Sequence, residues 1–170
     1  LDRDTSGLIV VALHEGAREQ LQRQFKGRRV RKVYLALLEG RLEPPRGVVE
    51  APIGRDPRHR QRMAIVASGG RPARTSYRVR EYLDRYTLVE VRPETGRTHQ
   101  IRVHLAAIGH PIAGDRIYGR KKGTPGLPRQ FLHAWRLTLT LPGSDERRTF
   151  TAPLPDDLQQ VLEGLRPPQS

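Results

Sequence analysis

The chain has 170 residues, with 31 Lys and Arg against 18 Asp and Glu, a formal net charge of +13 and no cysteine. This length suits one domain, and without cysteine the chain has neither a disulfide framework nor a thiolate metal site. No apolar run reaches the roughly 18 residues that a membrane span needs. The first residues do not have the pattern of a signal or transit peptide, so we expect a cytoplasmic protein.

The excess of positive charge favours a polyanionic partner, and nucleic acid is the first candidate. Aromatic residues make up only 5% of the chain, so an extended platform for base stacking is not expected. Contact is therefore expected to be made mainly with phosphates. A general preference for arginine at the surface is the alternative explanation of the charge.

The first third of the chain predicts two strands on either side of a helix. Gly7 to Ala12 is a short apolar run with β-branched residues in its middle, which is typical of a buried strand. Residues 14–25 have apolar side chains at four-residue spacing, and Gly27 ends that helical pattern. The segment 30–38 alternates and is rich in strand formers, so it predicts a second strand.

The middle of the chain predicts strands joined by short connections. Val48 to Ile53 and Met63 to Ala67 are predicted strands, and the basic stretch 54–62 between them is typical of an exposed loop. Ala73 to Leu83 and Tyr86 to Arg92 predict an antiparallel pair joined by a two-residue turn.

The last third predicts two helices and two strands. Thr98 is the predicted N-cap of a short helix that ends at Gly109, and the Pro- and Gly-rich segment 121–129 predicts a mobile loop. Two strands and a final helix follow over residues 131–141, 149–152 and 156–165. The fold class is therefore α+β, a mixed, mostly antiparallel β-sheet with a few flanking helices, in one domain over residues 1–165 with a disordered tail at 166–170.

Three groups of polar residues are candidates for chemistry. Asp2 and Asp4 precede the first predicted strand, although for this segment taken alone ordinary turn formation is the favoured explanation. Residues 95–104 hold two Arg and two His at the start of the short helix, where the helix dipole disfavours Arg, so a carboxylate or phosphate is expected nearby. Within that group His99 is a candidate general base. Tyr34 lies in an apolar strand, a position also typical of a core tyrosine.

Taken together, these segments resemble the RluA-type pseudouridine synthases over about residues 1–155. The motifs that carry the resemblance are Leu1-Asp2-Arg3-Asp4-Thr5-Ser6-Gly7-Leu8, Lys32-Val33-Tyr34-Leu35, Gly70-Arg71-Pro72-Ala73-Arg74-Thr75, residues 95–104, residues 109–115 and Leu132-His133-Ala134. They occur in the same order as in the family, which makes the combination far more specific than any one motif.

The resemblance implies isomerisation of selected uridines in RNA, in which the base leaves its ribose and is rejoined through a ring carbon, with no cofactor and no metal. By match to the motifs, Asp2 is the essential aspartate and acts in nucleophilic or acid–base fashion. Tyr34 packs on the target base and is a candidate for proton transfer. Arg102 pairs with Asp2 and keeps it ionised. Asp4 occupies a variable position and is expected to be dispensable.

RNA contact is expected from basic loops, because a target uridine must be extruded from the stack while phosphates are held. The predicted RNA-binding residues are Arg55, Arg58, Arg60, Arg62, Lys121 and Lys122. For any single one of them, a solvated basic surface is the alternative. The resemblance favours ribosomal RNA over transfer RNA as the partner, and the protein is expected to be a monomer.

The sequence also departs from the family pattern at its start. The motif normally begins with His-Arg, whereas here nothing precedes Leu1, and the family has further strands and often a small S4-type domain upstream. Without such residues we expect an open sheet edge, a poorly anchored Asp2 loop and weak stability and activity. Two other classes of function stay open. One is an RNA-binding module without catalysis, and the other is a metal-dependent hydrolase that uses Asp2 and Asp4.

Overall fold

The computed structural model describes residues 1–169, which form nine strands and three helices. The strands are β1 Ser6–Gly7, β2 Arg31–Glu39, β3 Arg46–Glu50, β4 Ile53–Arg55, β5 Met63–Ile65, β6 Arg74–Leu83, β7 Tyr86–Pro93, β8 Leu132–Thr140 and β9 Arg147–Thr151. The helices are α1 Glu15–Lys26, α2 Gln100–Ala107 and α3 Asp156–Leu165. None of the helices within residues 1–169 is long and apolar enough to cross a membrane.

Seven strands form one sheet in the order β1-β8-β2-β7-β6-β3, with β9 on the same edge of β8 as β1. All of its pairs are antiparallel except β1 with β8. The remaining strands, β4 and β5, pair as a separate hairpin. The predicted α+β class with a mixed, mostly antiparallel sheet is confirmed.

The main core lies between the central strands and two of the helices. Residues of β2 and β7 form one apolar cluster with α2 and α3, and Leu37, Leu105 and Leu158 in it are completely buried. Helix α1 instead packs through Leu21 on a smaller cluster with β8. Burial of these faces supplies most of the driving force for the fold, at about 25 cal/mol per Å² of apolar surface.

The predicted strand over Gly7 to Ala12 is wrong. Only its first residue lies in β1, and the side chains of Ile9 and Val11 are 67% and 70% exposed. To continue as a strand, this run would have to pair with β8 beyond Ala134, but β9 occupies that edge of β8. The last backbone bond of the run to β8 is therefore the one from the Leu8 amide to the Ala134 carbonyl.

The predicted cap of the short helix is also wrong. Helix α2 begins at Gln100 with His99 as its N-cap, and His99 has a left-handed backbone with φ of 55°. Among the described residues, no side chain caps the first turn of α2, and the Gln100 side chain instead accepts a hydrogen bond from the Arg97 amide in the preceding loop. The predicted strand over Val48 to Ile53 is divided between β3 and β4, which belong to different sheets.

The segment 121–129 is irregular, as predicted, but two of its residues are anchored. Leu127 is buried, and the Thr124 hydroxyl joins the Gly114 amide to the Glu39 carboxylate. In the predicted tail, Arg166 forms an ion pair of 3.0 Å with Glu81. Ser170 lies outside the described residues, and the disorder of 166–170 stays a prediction.

Candidate active site

Asp2 lies in a tight turn that leads directly into β1. The Thr5 amide donates to the Asp2 carbonyl at 3.1 Å. The Gln130 side chain donates to the Arg3 carbonyl at 2.8 Å and to the Thr5 hydroxyl at 3.2 Å, and Arg129 donates to the Asp4 carbonyl. The loop is therefore held at several points, against the expectation of poor anchoring.

Gly7 makes this placement of the Asp2 loop sterically feasible. Its φ is +114°, and a Cβ on it would come 2.2 Å from the Ala134 carbonyl oxygen. Only a glycine can take this conformation so close to another backbone. The hydrogen bond between the Ser6 hydroxyl and His133 Nδ1, 2.9 Å long, fixes the same junction through side chains.

Arg102 projects from α2 toward Asp2 and is almost completely buried. Its Nη1 lies 3.5 Å from Asp2 Oδ2. Its Nε and Nη2 donate to the two carboxylate oxygens of Asp115 at 2.7 and 3.0 Å. The guanidinium is thus fixed from one side by a bidentate pair, and its remaining nitrogen faces Asp2. The structure brings Asp2 and Arg102 together, as the resemblance implies.

Asp115 is a site residue that the sequence analysis did not single out. Burial alone would raise the pKa of its carboxyl, but hydrogen bonds from Arg102 and from the Tyr118 and Ile117 amides outweigh burial and lower that pKa. Asp115 is therefore ionised, and its charge balances that of Arg102. Asp115 belongs to the motif over residues 109–115, but no spacing rule pairs it with a residue on another helix or strand.

Tyr34 and Lys32 line the same cleft from β2. This cleft has a volume of about 390 Å³ and is bounded by Asp2 in the turn before β1 and by residues 95–101, which lead into α2. Burial, and then the negative charge of Asp2, raise the pKa of the Tyr34 hydroxyl, so it carries its proton at neutral pH. Burial lowers the pKa of the Lys32 ammonium.

His99 also lines this cleft, and its hydrogen-bond partner is a hydroxyl instead of a carboxylate. Its Nδ1 lies 2.7 Å from the Tyr118 hydroxyl oxygen, which also accepts a hydrogen bond of 2.9 Å from the Met63 amide. Burial, and then the charge of Arg102, lower the pKa of His99, so the ring is neutral at pH 7. Tyr118, whose ring also lies 5.1 Å from the Arg102 guanidinium, is a second residue that the sequence analysis missed.

The six predicted RNA-binding residues lie in two separate places. Arg55 ends β4, and Arg58, Arg60 and Arg62 are exposed in the loop between β4 and β5. The bond from Met63 to Tyr118 ties this hairpin to the Asp2 site. The other two, Lys121 and Lys122, are exposed and directly follow Arg120. The Arg120 side chain lies 3.5 Å from Glu39, the last residue of β2.

The family model described as RNA pseudouridylate synthase matches residues 1–107, and the chain belongs to this family. Within the family, the chain is of the RluA type.

Relatives with similar sequences carry related names. An uncharacterized RNA pseudouridine synthase of Chloroflexus aurantiacus is 55% identical over 98% of this chain and 52% of its own length. The ribosomal large subunit pseudouridine synthase D of Nitrosomonas europaea is 53% identical over 98% of this chain and 50% of its own length. The chain thus spans about half the length of these two relatives.

A solved structure shares the fold. The human RNA pseudouridylate synthase domain containing 1 is 36% identical, with a TM-score of 0.78 over 97% of this chain and 77% of that one.

Proposed function

We propose that the protein converts uridine to pseudouridine in RNA, that ribosomal RNA is its substrate, and that it acts as a monomer in the cytoplasm. The observation that carries the proposal is the cleft in which the Asp2 carboxylate faces Arg102, with Tyr34 on the adjoining wall. The name of the Nitrosomonas europaea relative supports ribosomal RNA over transfer RNA.

Asp2 is the reacting carboxylate in this proposal. The bond between the ribose and a ring nitrogen of the base breaks, the base turns, and a bond to a ring carbon forms. The proton on that carbon is then transferred to the nitrogen, so the reaction is an isomerisation that balances without a further reactant. Asp2 acts as nucleophile or as acid–base group, and the guanidinium of Arg102 lies 3.5 Å from its carboxylate as a fixed positive charge.

Tyr34 contributes a ring and a protonated hydroxyl at the same place. Its raised pKa means that the hydroxyl donates a hydrogen bond at neutral pH instead of carrying a charge. The ring can stack on the extruded base while the hydroxyl serves proton transfer. Extrusion of the base costs a few kcal/mol, which contacts between basic residues and phosphates offset.

The proposal is tested by incubating unmodified ribosomal RNA transcripts with the complete gene product. Pseudouridine is then mapped by carbodiimide labelling and primer extension, and we expect it at defined uridines. RNA binding without any pseudouridine would favour the binding-module alternative. Cleavage of the RNA that a chelator stops would favour the hydrolase, whereas a chelator leaves the proposed isomerisation unchanged.

A further inference from the structure

A second basic cleft, of about 610 Å³, adjoins the candidate active site. We call it the arginine cleft, and its arginines are Arg28, Arg29, Arg31, Arg92 and Arg147. Lys32 and Pro93 line both the arginine cleft and the cleft that contains Asp2, so the two clefts share a wall. None of these five arginines is among the RNA-binding residues predicted from the sequence.

The fold assembles the arginine cleft from four places in the chain. Arg28 and Arg29 occupy the turn between α1 and β2, where Arg28 has φ of 54°, and Arg31 begins β2. Arg92 lies near the end of β7 and Arg147 begins β9. The Arg147 side chain donates to the Arg29 carbonyl at 2.9 Å, which ties the β9 end of the cleft to the turn.

The positive charge of this cleft is largely unbalanced. Its one acidic lining residue, Glu94, pairs with Arg74 at 2.8 Å. Within residues 1–169, Arg28, Arg29, Arg31 and Arg147 have no carboxylate oxygen within 4.0 Å, and Arg92 has one at 3.9 Å, on Glu90.

Burial and neighbouring positive charges lower the pKa of two arginines at these clefts. Burial, and then the neighbouring charge of Arg31, lower the pKa of Arg92. Burial, and then the charges of Arg71 and Arg28, lower the pKa of Arg97, which lines the Asp2 cleft. Like charges held this close destabilise the free protein, and a polyanion that binds between them relieves that cost.

We propose that the arginine cleft binds the phosphate backbone of the RNA strand next to the target uridine. This inference rests on the proposed function, because it takes RNA as the ligand of the adjoining site. A strand whose target base enters the Asp2 cleft has adjacent phosphates within reach of the arginine cleft through the shared wall at Lys32 and Pro93. The guanidinium group suits this role because it binds phosphate oxygens in a bidentate manner.

The chain offers a matched control on β9. Arg147 and Arg148 are successive residues of one strand, so their side chains point to opposite faces. Arg147 lines the arginine cleft, whereas Arg148 pairs at 2.8 Å with Glu146, the residue immediately before β9. Arg147→Gln and Arg148→Gln therefore remove the same charge from neighbouring positions, and only the first removes it from the cleft.

The test measures binding of a 16-nucleotide oligouridylate and of an unmodified ribosomal RNA transcript to the complete gene product, between about 50 and 200 mM salt. Each lost phosphate contact lowers the slope of log affinity against log salt by about 0.7. We expect Arg147→Gln to do so, and the triple variant Arg28→Gln/Arg31→Gln/Arg147→Gln to lower affinity at least about tenfold with a slope smaller by about 2. Arg148→Gln should bind within about twofold of the unchanged protein.

Equal affinity and slope for Arg147→Gln and Arg148→Gln would overturn the proposal, and if the triple variant does not fold, this pair decides. Pseudouridine formation is measured in parallel. Arg147→Gln and the triple variant should each have a raised KM with kcat nearly unchanged. If the unchanged protein makes no pseudouridine, the proposed function fails. A selective loss of RNA binding by the cleft variants would still support the arginine cleft.

Discussion

At the residue scale, the site depends on how one guanidinium is shared between two carboxylates. Arg102 has five N–H donors in a planar fork, and Asp115 engages the Nε and Nη2 side of that fork. Its Nη1 is left facing Asp2 at 3.5 Å. Asp115 therefore sets the orientation of Arg102, and through it the electrostatic environment of Asp2.

Asp115→Asn is expected to lower kcat at least about tenfold with a small change in KM, because Arg102 is then free to turn from its position beside Asp2. Breaking a buried ion pair from one side also costs about 3–5 kcal/mol of unfolding free energy. Steady-state kinetics and urea unfolding measure the two effects. Glu146→Gln, which removes one partner of an exposed pair, should change both very little. Unchanged kcat in Asp115→Asn would contradict the role given to Asp115.

Tyr118→Phe tests the link between the basic hairpin and the site. The change keeps the ring near Arg102 but removes the hydroxyl that accepts from the Met63 amide and contacts His99. The Met63 amide should then exchange with solvent deuterium faster than in the unchanged protein, because it has lost its acceptor. Exchange at the unchanged rate would show that the hairpin is held in another way.

At the element scale, the strongest periodic patterns were predictable and the competition for sheet edges was not. The final helix over 156–165 and the β6–β7 pair follow from apolar spacing and a short turn, so both predictions are confirmed. The apolar run from Gly7 to Ala12 predicted a strand, but its composition contained no information that β9 occupies the edge of β8.

The same limit applies to the site. The motifs pointed to Asp2, Tyr34 and Arg102, and the structure brings these three together at one cleft. The partnership of Arg102 with Asp115 joins a helix to a later loop, and the arginine cleft draws on four separate segments. Local patterns cannot predict such long-range contacts.

Gly7→Ala should lower the free energy of unfolding by several kcal/mol, because the new Cβ would lie 2.2 Å from the Ala134 carbonyl oxygen and φ is +114°. Gly164→Ala is the matched change in α3, where a Cβ meets no atom of residues 1–169 within 4 Å. It should stabilise the protein by about 0.4–1 kcal/mol. Urea unfolding compares the two, and equal effects would mean that β1 does not approach β8 this closely.

His104 gives the packing of α2 a defined pH dependence. Its ring is completely buried between the Thr75 hydroxyl and the Ala51 carbonyl, and burial lowers its pKa below the usual 6.5 despite the bond to Ala51. The unfolded chain therefore binds a proton below pH 6.5 that the folded state rejects. His99, with its lowered pKa, acts in the same direction.

The contribution of the neutral histidines to the unfolding free energy is thus complete above pH 6.5 and should fall as the pH drops below that value. Urea unfolding at about pH 7.5 and 5.5 measures the loss. His104→Gln should be less stable at the higher pH but should lose less on acidification. An equal loss in this variant and in the unchanged protein would assign the dependence to other groups.

At the scale of the whole molecule, the net charge of +13 has two opposite consequences. Repulsion between the positive charges destabilises the free protein, and added salt screens it over a Debye length of about 10 Å at 0.1 M. Salt should therefore raise the melting temperature of the free protein while it weakens RNA binding. Calorimetry and filter binding over one salt series measure both, and a melting temperature that falls with salt would contradict this explanation.

The central claim is that Asp2 does the chemistry while the basic surfaces of the molecule hold the RNA. Asp2→Asn in the complete gene product tests it most directly, with pseudouridine formation and RNA affinity measured on the same ribosomal transcript. We expect no detectable pseudouridine and an affinity within about twofold of the unchanged protein, because the phosphate contacts are intact. Pseudouridine formation by Asp2→Asn at a rate close to that of the unchanged protein would contradict the claim.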